Sequence, residues 1–202
     1  MKNKKVVILG TGGTIAGTAA EACDNLGYTA AQMGIEQLVA ALPHRGIASV
    51  DLVTEQVAQL DSKDMDFGVW IQLARRVSYW LDQPAIDGIV ITHGTDTLEE
   101  TAWFLQIVLN PHKPVVLTCA MRPATALAPD GPQNMVDAIA VAVHPGAGGV
   151  VVVCAGVIHG SADVQKAHTY RLDAFSSGDA GPLGYVEEGR LRRCVVRAAN
   201  RA

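Results

Sequence analysis

The segment VVILGTGGTIAG, Val6 to Gly17, sets four consecutive apolar residues against a loop that holds four glycines and two threonines. A short apolar run without alternation is a strand buried on both faces, as strands are in the middle of a parallel sheet. Glycines at its end let the backbone turn sharply or approach another segment closely. The predicted strand therefore ends in a loop suited to close contact, with a ligand or with more backbone.

The same kind of run recurs at Val50–Leu60, Gly88–Thr92, Pro114–Cys119 and Gly149–Cys154. Helical periodicity fills the spaces between: Met65, Val69, Leu73, Val77 and Leu81 recur every four residues, and Leu98, Thr101, Ala102, Leu105, Val108 and Leu109 form a second stripe. A third helix is expected from about Asn134 to Val143. This alternation predicts an α/β fold, an open, mostly parallel sheet with helices on both faces. The segment GPLGYVEEGRLRR alternates around Glu188-Gly189, which predicts a C-terminal β-hairpin.

At 202 residues, 49% of them hydrophobic, the chain suits one such domain with a full core. A formal net charge of −4 gives no electrostatic reason to expect nucleic acid or an anionic membrane, so a small-molecule partner is expected. No apolar segment is long enough to span a membrane. The basic start MKNKK followed by VVILG imitates a signal peptide, but its apolar run of four residues is too short. The four cysteines, Cys23, Cys119, Cys154 and Cys194, contain no C-x-x-C pair, and Cys119 and Cys154 fall in apolar runs as small hydrophobes. A reducing compartment, the cytoplasm, is the expected location. His44, His93, His112, His144, His159 and His168 show neither i,i+4 nor H-x-x-H spacing, so no metal site is expected.

A glycine loop between strand and helix can hold phosphate on its N–H groups. Here the P-loop pattern fails because Thr18 stands where lysine is required, and the dinucleotide pattern fails because Ile15 replaces its third glycine. The other reading has the glycines bring the backbone close to a substrate while Thr14 points its hydroxyl inward. Such a hydroxyl needs a neighbouring base and oxyanion donors.

The second informative segment is GIVITHGTDTLEET, residues 88–101. Thr97 and Glu100 read as a capping box, with Glu99 and Glu100 suited to the positive first turn of a helix. His93 reads as shaping the turn before Gly94. Thr95 and Asp96 are left over at a strand end, where ligands of open α/β sheets bind. A hydroxyl beside a carboxylate there fits an amino acid's charged groups, and taken alone it equally fits a common turn.

Together these segments resemble the two signature motifs of the bacterial-type L-asparaginases, the asparaginase/glutaminase family. DSKDM, KPVVLTCAMRP, DGPQN, DVQKA and GPLGY follow in the family's order, from residue 5 to about 190. The resemblance implies that Thr14 is the nucleophile on a side-chain amide, assisted by Tyr28 in a flap over the site. It implies a second set, Thr95, Asp96 and Lys166, in which the lysine eases deprotonation of the threonine; either threonine could attack first. Asp96 is expected to hold the α-ammonium of the substrate, and Ser62, Lys63 and Gly94 lie in its binding region, Ser62 on the α-carboxylate.

The implied reaction converts L-asparagine, or L-glutamine, to the acid and ammonia through an acyl-enzyme, without metal or cofactor. Lys63 stands where the best-known members carry glutamine near the α-amino group, so either it turns toward Asp61 or Asp64 or substrate preference differs. The family's smaller C-terminal domain supplies a carboxylate across a homo-oligomer interface. The expectation for this chain is the N-terminal domain over 1–190, an atypical tail over 191–202, absence of the smaller domain, and impaired activity. A non-catalytic module binding an amino acid or amide in the same pocket is the alternative.

Overall fold

The computed structural model describes residues 3–43 and 47–193; His44, Cys194 and the tail beyond residue 193 lie outside them. Five strands, β1 (Lys4–Gly12), β2 (Val50–Leu60), β3 (Gly88–Thr92), β4 (Pro114–Thr118) and β5 (Gly149–Cys154), run parallel in the spatial order β2-β1-β3-β4-β5. Three antiparallel strands extend the sheet beyond β5: β6 (Val157–Gly160), then β9 (Gly184–Glu187) and β10 (Arg190–Arg193). The last two form the expected hairpin around Glu188 and Gly189, both at positive φ. A separate ribbon pairs β7 (Gln165–Lys166) with β8 (Phe175–Ser176).

The helices are α1 (Ile35–Ala40), α2 (Phe67–Leu81), α3 (Leu98–Leu109) and α4 (Gly131–Ala142). Side chains alternate across a strand, so each central strand feeds two cores. Val7, Leu9, Ile89, Ile91, Val115 and Leu117 pack with Leu73 and Val77 of α2 and Leu98 and Leu105 of α3. Val6, Ile8, Val90 and Val116 pack on the opposite face with Ile35 and Leu38 of α1 and Met135 and Ile139 of α4. Both faces are covered, as the unbroken apolar runs require.

Two helix starts differ from the periodicity. The second helix begins at Phe67, because the Asp66 carboxylate accepts the Val69 N–H as its cap while Met65 remains extended. The last begins at Gly131, with a proline in its first turn where the missing N–H costs nothing. The order β2-β1-β3 places a reversal of winding between β1 and β3. Crevices for ligands form at that point, outside the carboxyl ends of the strands.

Leu117 is fully buried in a central strand, whereas Ile107 is 61% exposed. Leu117→Ala is expected to lower unfolding free energy by about 2–5 kcal/mol and Ile107→Ala by no more than about 0.5 kcal/mol. Urea titrations of the two variants check this.

Candidate active site

Past their last paired residues, Gly10 and Thr92, strands β1 and β3 continue into loops that press on one another. A Cβ on Gly13 would lie 2.3 Å from the Gly94 Cα, and a Cβ on Gly94 would lie 2.4 Å from the Ser62 Oγ. Gly13 has φ 80°, a conformation that side chains disfavour. The glycines of the first loop therefore serve backbone packing. No helix N-terminus follows that loop, only a 3-10 turn over Thr14–Ala16, so the phosphate geometry is missing as well.

This packing sets Thr14 and Thr95, each only 8% exposed, in the wall of a single cavity of about 150 Å³. A cavity of that size admits a benzene-sized molecule. Tyr28, Ser62, Asp96 and Lys166 line it too, so six of the eight expected residues converge there. Gly94 acts from behind, through its contact with Ser62. Lys63 turns away, its Nζ 3.1 Å from Asp61 Oδ2 and 2.8 Å from Asp64 Oδ2.

Thr14 Oγ1 lies 2.6 Å from the Tyr28 hydroxyl. The loop carrying Tyr28 is closed at its base by reciprocal backbone hydrogen bonds of 2.9 Å between Thr18 and Thr29. Gly17 makes room for the ring, since a Cβ there would meet Tyr28 Cδ2 at 2.8 Å.

On the other wall, Lys166 Nζ donates to Thr95 Oγ1 at 2.7 Å and to Asp96 Oδ1 at 2.6 Å. Lys166 sits on the short ribbon, where its backbone N–H is held by Glu99 Oε2. Glu99 thus anchors the lysine as well as standing in the first turn of α3, a role its sequence position did not signal. The expected capping box does not form: Thr97 makes no side-chain cap, and its hydroxyl donates to the Ser62 carbonyl at 2.9 Å. The Ser62 Oγ accepts the Asp96 N–H at 3.1 Å, which leaves its hydroxyl proton for another acceptor.

His93, wholly buried, supports this wall from below. Its Nδ1 lies 2.7 Å from the Gly94 carbonyl and donates to it; Nε2 lies 3.0 Å from Thr101 Oγ1, whose single proton also faces the Thr97 carbonyl at 2.8 Å. Trp70 Nε1 donates to that same hydroxyl at 2.8 Å. Burial pushes the His93 imidazole down to about 4, which keeps it neutral.

Asn25, Leu26, Asp61, Met121, Thr169 and Tyr170 complete the cavity wall. Arg122 lies 4.2 Å over the Tyr170 ring and donates to its carbonyl, fixing the rim. Tyr170 carried no motif of its own in the sequence; its only signal was its place four residues beyond Lys166. Among the described residues, no group of three or more His, Cys, Asp or Glu could hold a metal ion, and no helix is long and apolar enough to cross a membrane.

With the geometry in place, comparison with known proteins gives a consistent result. The family model for the asparaginase N-terminal domain matches residues 5–194. The glutaminase-asparaginase of Pseudomonas fluorescens biotype A is 46% identical over 192 residues, which cover 94% of this chain and 52% of that protein. The probable periplasmic L-asparaginase of Haemophilus influenzae is 40% identical, covering 92% and 53%. The crystal structure of a probable cytoplasmic L-asparaginase from Campylobacter jejuni superposes with TM-score 0.92 at 42% identity, over 96% of this chain and 60% of that one. The chain belongs to the asparaginase family, and its residues form that family's N-terminal domain. It spans about half the length of the curated relatives it matches.

Burial also lowers His159 to about 4; its Nδ1 lies 2.8 Å from Ser177 Oγ. An unfolded histidine titrates near 6.5, so between pH 6.5 and 4 the unfolded chain binds more protons than the folded one. Stability is therefore full above about pH 6.5 and lost as pH falls toward 4, by up to about 3 kcal/mol per histidine. The urea midpoint is expected to be lower at pH 5 than at pH 7.5. A His93→Gln, His159→Gln double variant should flatten the difference; an unchanged difference would assign the acid sensitivity to other groups.

Proposed function

We propose that the cavity hydrolyses the side-chain amide of L-asparagine to L-aspartate and ammonia, with a threonine hydroxyl as nucleophile. The observation that carries this reading is two buried threonine hydroxyls, each with its own polar partner, facing one small cavity at the switch point of the sheet. An isolated threonine hydroxyl is a poor nucleophile, and both of these have a neighbour placed to handle the proton.

In the proposed sequence Thr14 Oγ1 attacks the amide carbon while its proton moves through the Tyr28 hydroxyl. The C–N bond breaks, ammonia leaves with that proton, and a threonyl ester remains. Water then attacks the ester, and the hydroxyl is regenerated as aspartate departs. Lys166 as a neutral amine would accept the Thr95 proton; as an ammonium it would donate to Thr95 and to developing charge. Either Thr95 activates the water, or it attacks first and Thr14 assists.

Recognition of the amino acid follows from the same wall. The free Ser62 proton suits the α-carboxylate. Asp96 gives Oδ1 to Lys166, leaving Oδ2 for the α-ammonium. Lys63, neutralised by Asp61 and Asp64, does not repel that ammonium at close range. L-glutamine as a second substrate is supported by the name of the Pseudomonas relative, a homo-oligomer by the family resemblance, and a cytoplasmic location by the name of the Campylobacter relative.

Ammonia release from asparagine tests the proposal. Thr14→Ala and Thr95→Ala are each expected to lower kcat/KM by at least about a thousandfold. A Thr14→Ala variant that keeps more than about a tenth of the activity would remove Thr14 as nucleophile. Aspartate binding by calorimetry, with no turnover even when the family's C-terminal domain is supplied, would favour a non-catalytic module.

A further inference from the structure

Two thiols meet behind the cavity wall. Cys119 follows the last residue of β4 and Cys154 ends β5; they are 1% and 4% exposed, with their Sγ atoms 3.0 Å apart. In the parallel register Thr118 faces Val153, so Cys119 and Cys154 are the next step of the same ladder and project to the same face. Both belong to the core covered by α2 and α3.

The backbone on either side of this pair is tied down. Thr118 Oγ1 donates to the Val153 carbonyl at 2.8 Å. The Asn134 amide bridges the two strand ends, donating through Nδ2 to the Cys119 carbonyl at 3.0 Å and accepting the Ala155 N–H through Oδ1 at 3.0 Å. Beyond Cys154 the chain reverses at Ala155 and Gly156, both at positive φ, into β6. The sulfurs are thus pre-aligned, and little conformational freedom remains to be lost on joining them. Neighbouring strands lie about 4.8 Å apart, inside the span a disulfide bridges.

We propose that Cys119 and Cys154 form a dithiol modification site that hydrogen peroxide converts to an intramolecular disulfide. The peroxide oxygen oxidises one sulfur to a sulfenic acid, its O–O bond breaking with release of one water. The other sulfur then attacks the sulfenic sulfur; the S–S bond forms, the S–O bond breaks, and the departing hydroxide takes the remaining thiol proton as a second water. Two thiols lose two electrons and two protons, and the peroxide gains them. Closure moves the sulfurs together by about 1 Å, to the usual bond length near 2.05 Å.

The surroundings restrict the reagent by size. The hydrogen bond with Cys154, and burial after it, push the Cys119 thiol up, which slows every thiolate reaction, and burial leaves access only to a reagent as small as hydrogen peroxide. Exposed Cys23 has no such shelter. The site also adjoins the cavity: Cys119 is two residues from Met121 in its wall. None of this requires the cavity to turn over asparagine.

Titrating the folded protein with hydrogen peroxide, then unfolding it with excess alkylating agent, tests the proposal. The expected result is a peptide linking Cys119 to Cys154, two hydrogens lighter, that a dithiol reductant restores to two alkylatable cysteines. Cys119→Ser and Cys154→Ser should each abolish that linkage. Recovery of both cysteines in alkylated form after Cys23 is fully oxidised would overturn the proposal. So would separate sulfinic acids at the two positions, or linkage of either one to Cys23.

Discussion

The site depends on one steric constraint, the contact of Gly13 with Gly94. The loops leaving β1 and β3 approach so closely that a methyl group on Gly13 would sit 2.3 Å from backbone. Atoms cannot share that space, so any side chain there forces the two strand ends apart. Because each glycine is followed directly by a threonine, separating the loops also separates the two hydroxyls. Ser62, packed on the other side of Gly94, is carried by the same contact and brings the β2 loop into the assembly.

Around this contact the polar groups are satisfied in an order that leaves the cavity side free. Trp70, Thr101 and His93 pass hydrogen bonds from α2 through α3 to the Gly94 carbonyl. Glu99 fixes the backbone of Lys166, and the lysine then reaches both Thr95 and Asp96. Asp130 and Asn134 hold the loop after β4, through the Met121 and Arg122 N–H groups and the Cys119 carbonyl. Support of this kind lets a small cavity keep donors and acceptors unpaired toward a ligand, since the side chains beneath them are held by hydrogen bonds to one another.

Much of the fold was legible in the sequence because its strands are buried on both faces. The runs Val50–Leu60, Gly88–Thr92 and Gly149–Cys154, and the helix Leu98–Leu109, have the bounds that hydrophobicity alone suggests. The strand Val157–Gly160 was not legible, since four residues including His159 and Gly160 carry no pattern. The convergence of Thr14, Tyr28, Ser62, Thr95, Asp96 and Lys166 came from family resemblance, because no spacing rule connects Thr95 to a lysine 71 positions away. Thr97 misled for the same reason. Its local position fits a helix cap, but a carbonyl 35 residues distant takes its hydroxyl. The thiol pair was hidden too, as Cys119 and Cys154 read separately as small apolar residues until the parallel register aligned them.

A crystal structure with aspartate bound is the most direct test of this site. The ligand is expected in the cavity between the β1 and β3 loops. Its side-chain carboxylate would be within hydrogen-bond distance of both Thr14 Oγ1 and Thr95 Oγ1, and its α-carboxylate against Ser62. Aspartate bound elsewhere on the domain, or bound in the cavity with its α-groups toward the threonines, would contradict that expectation.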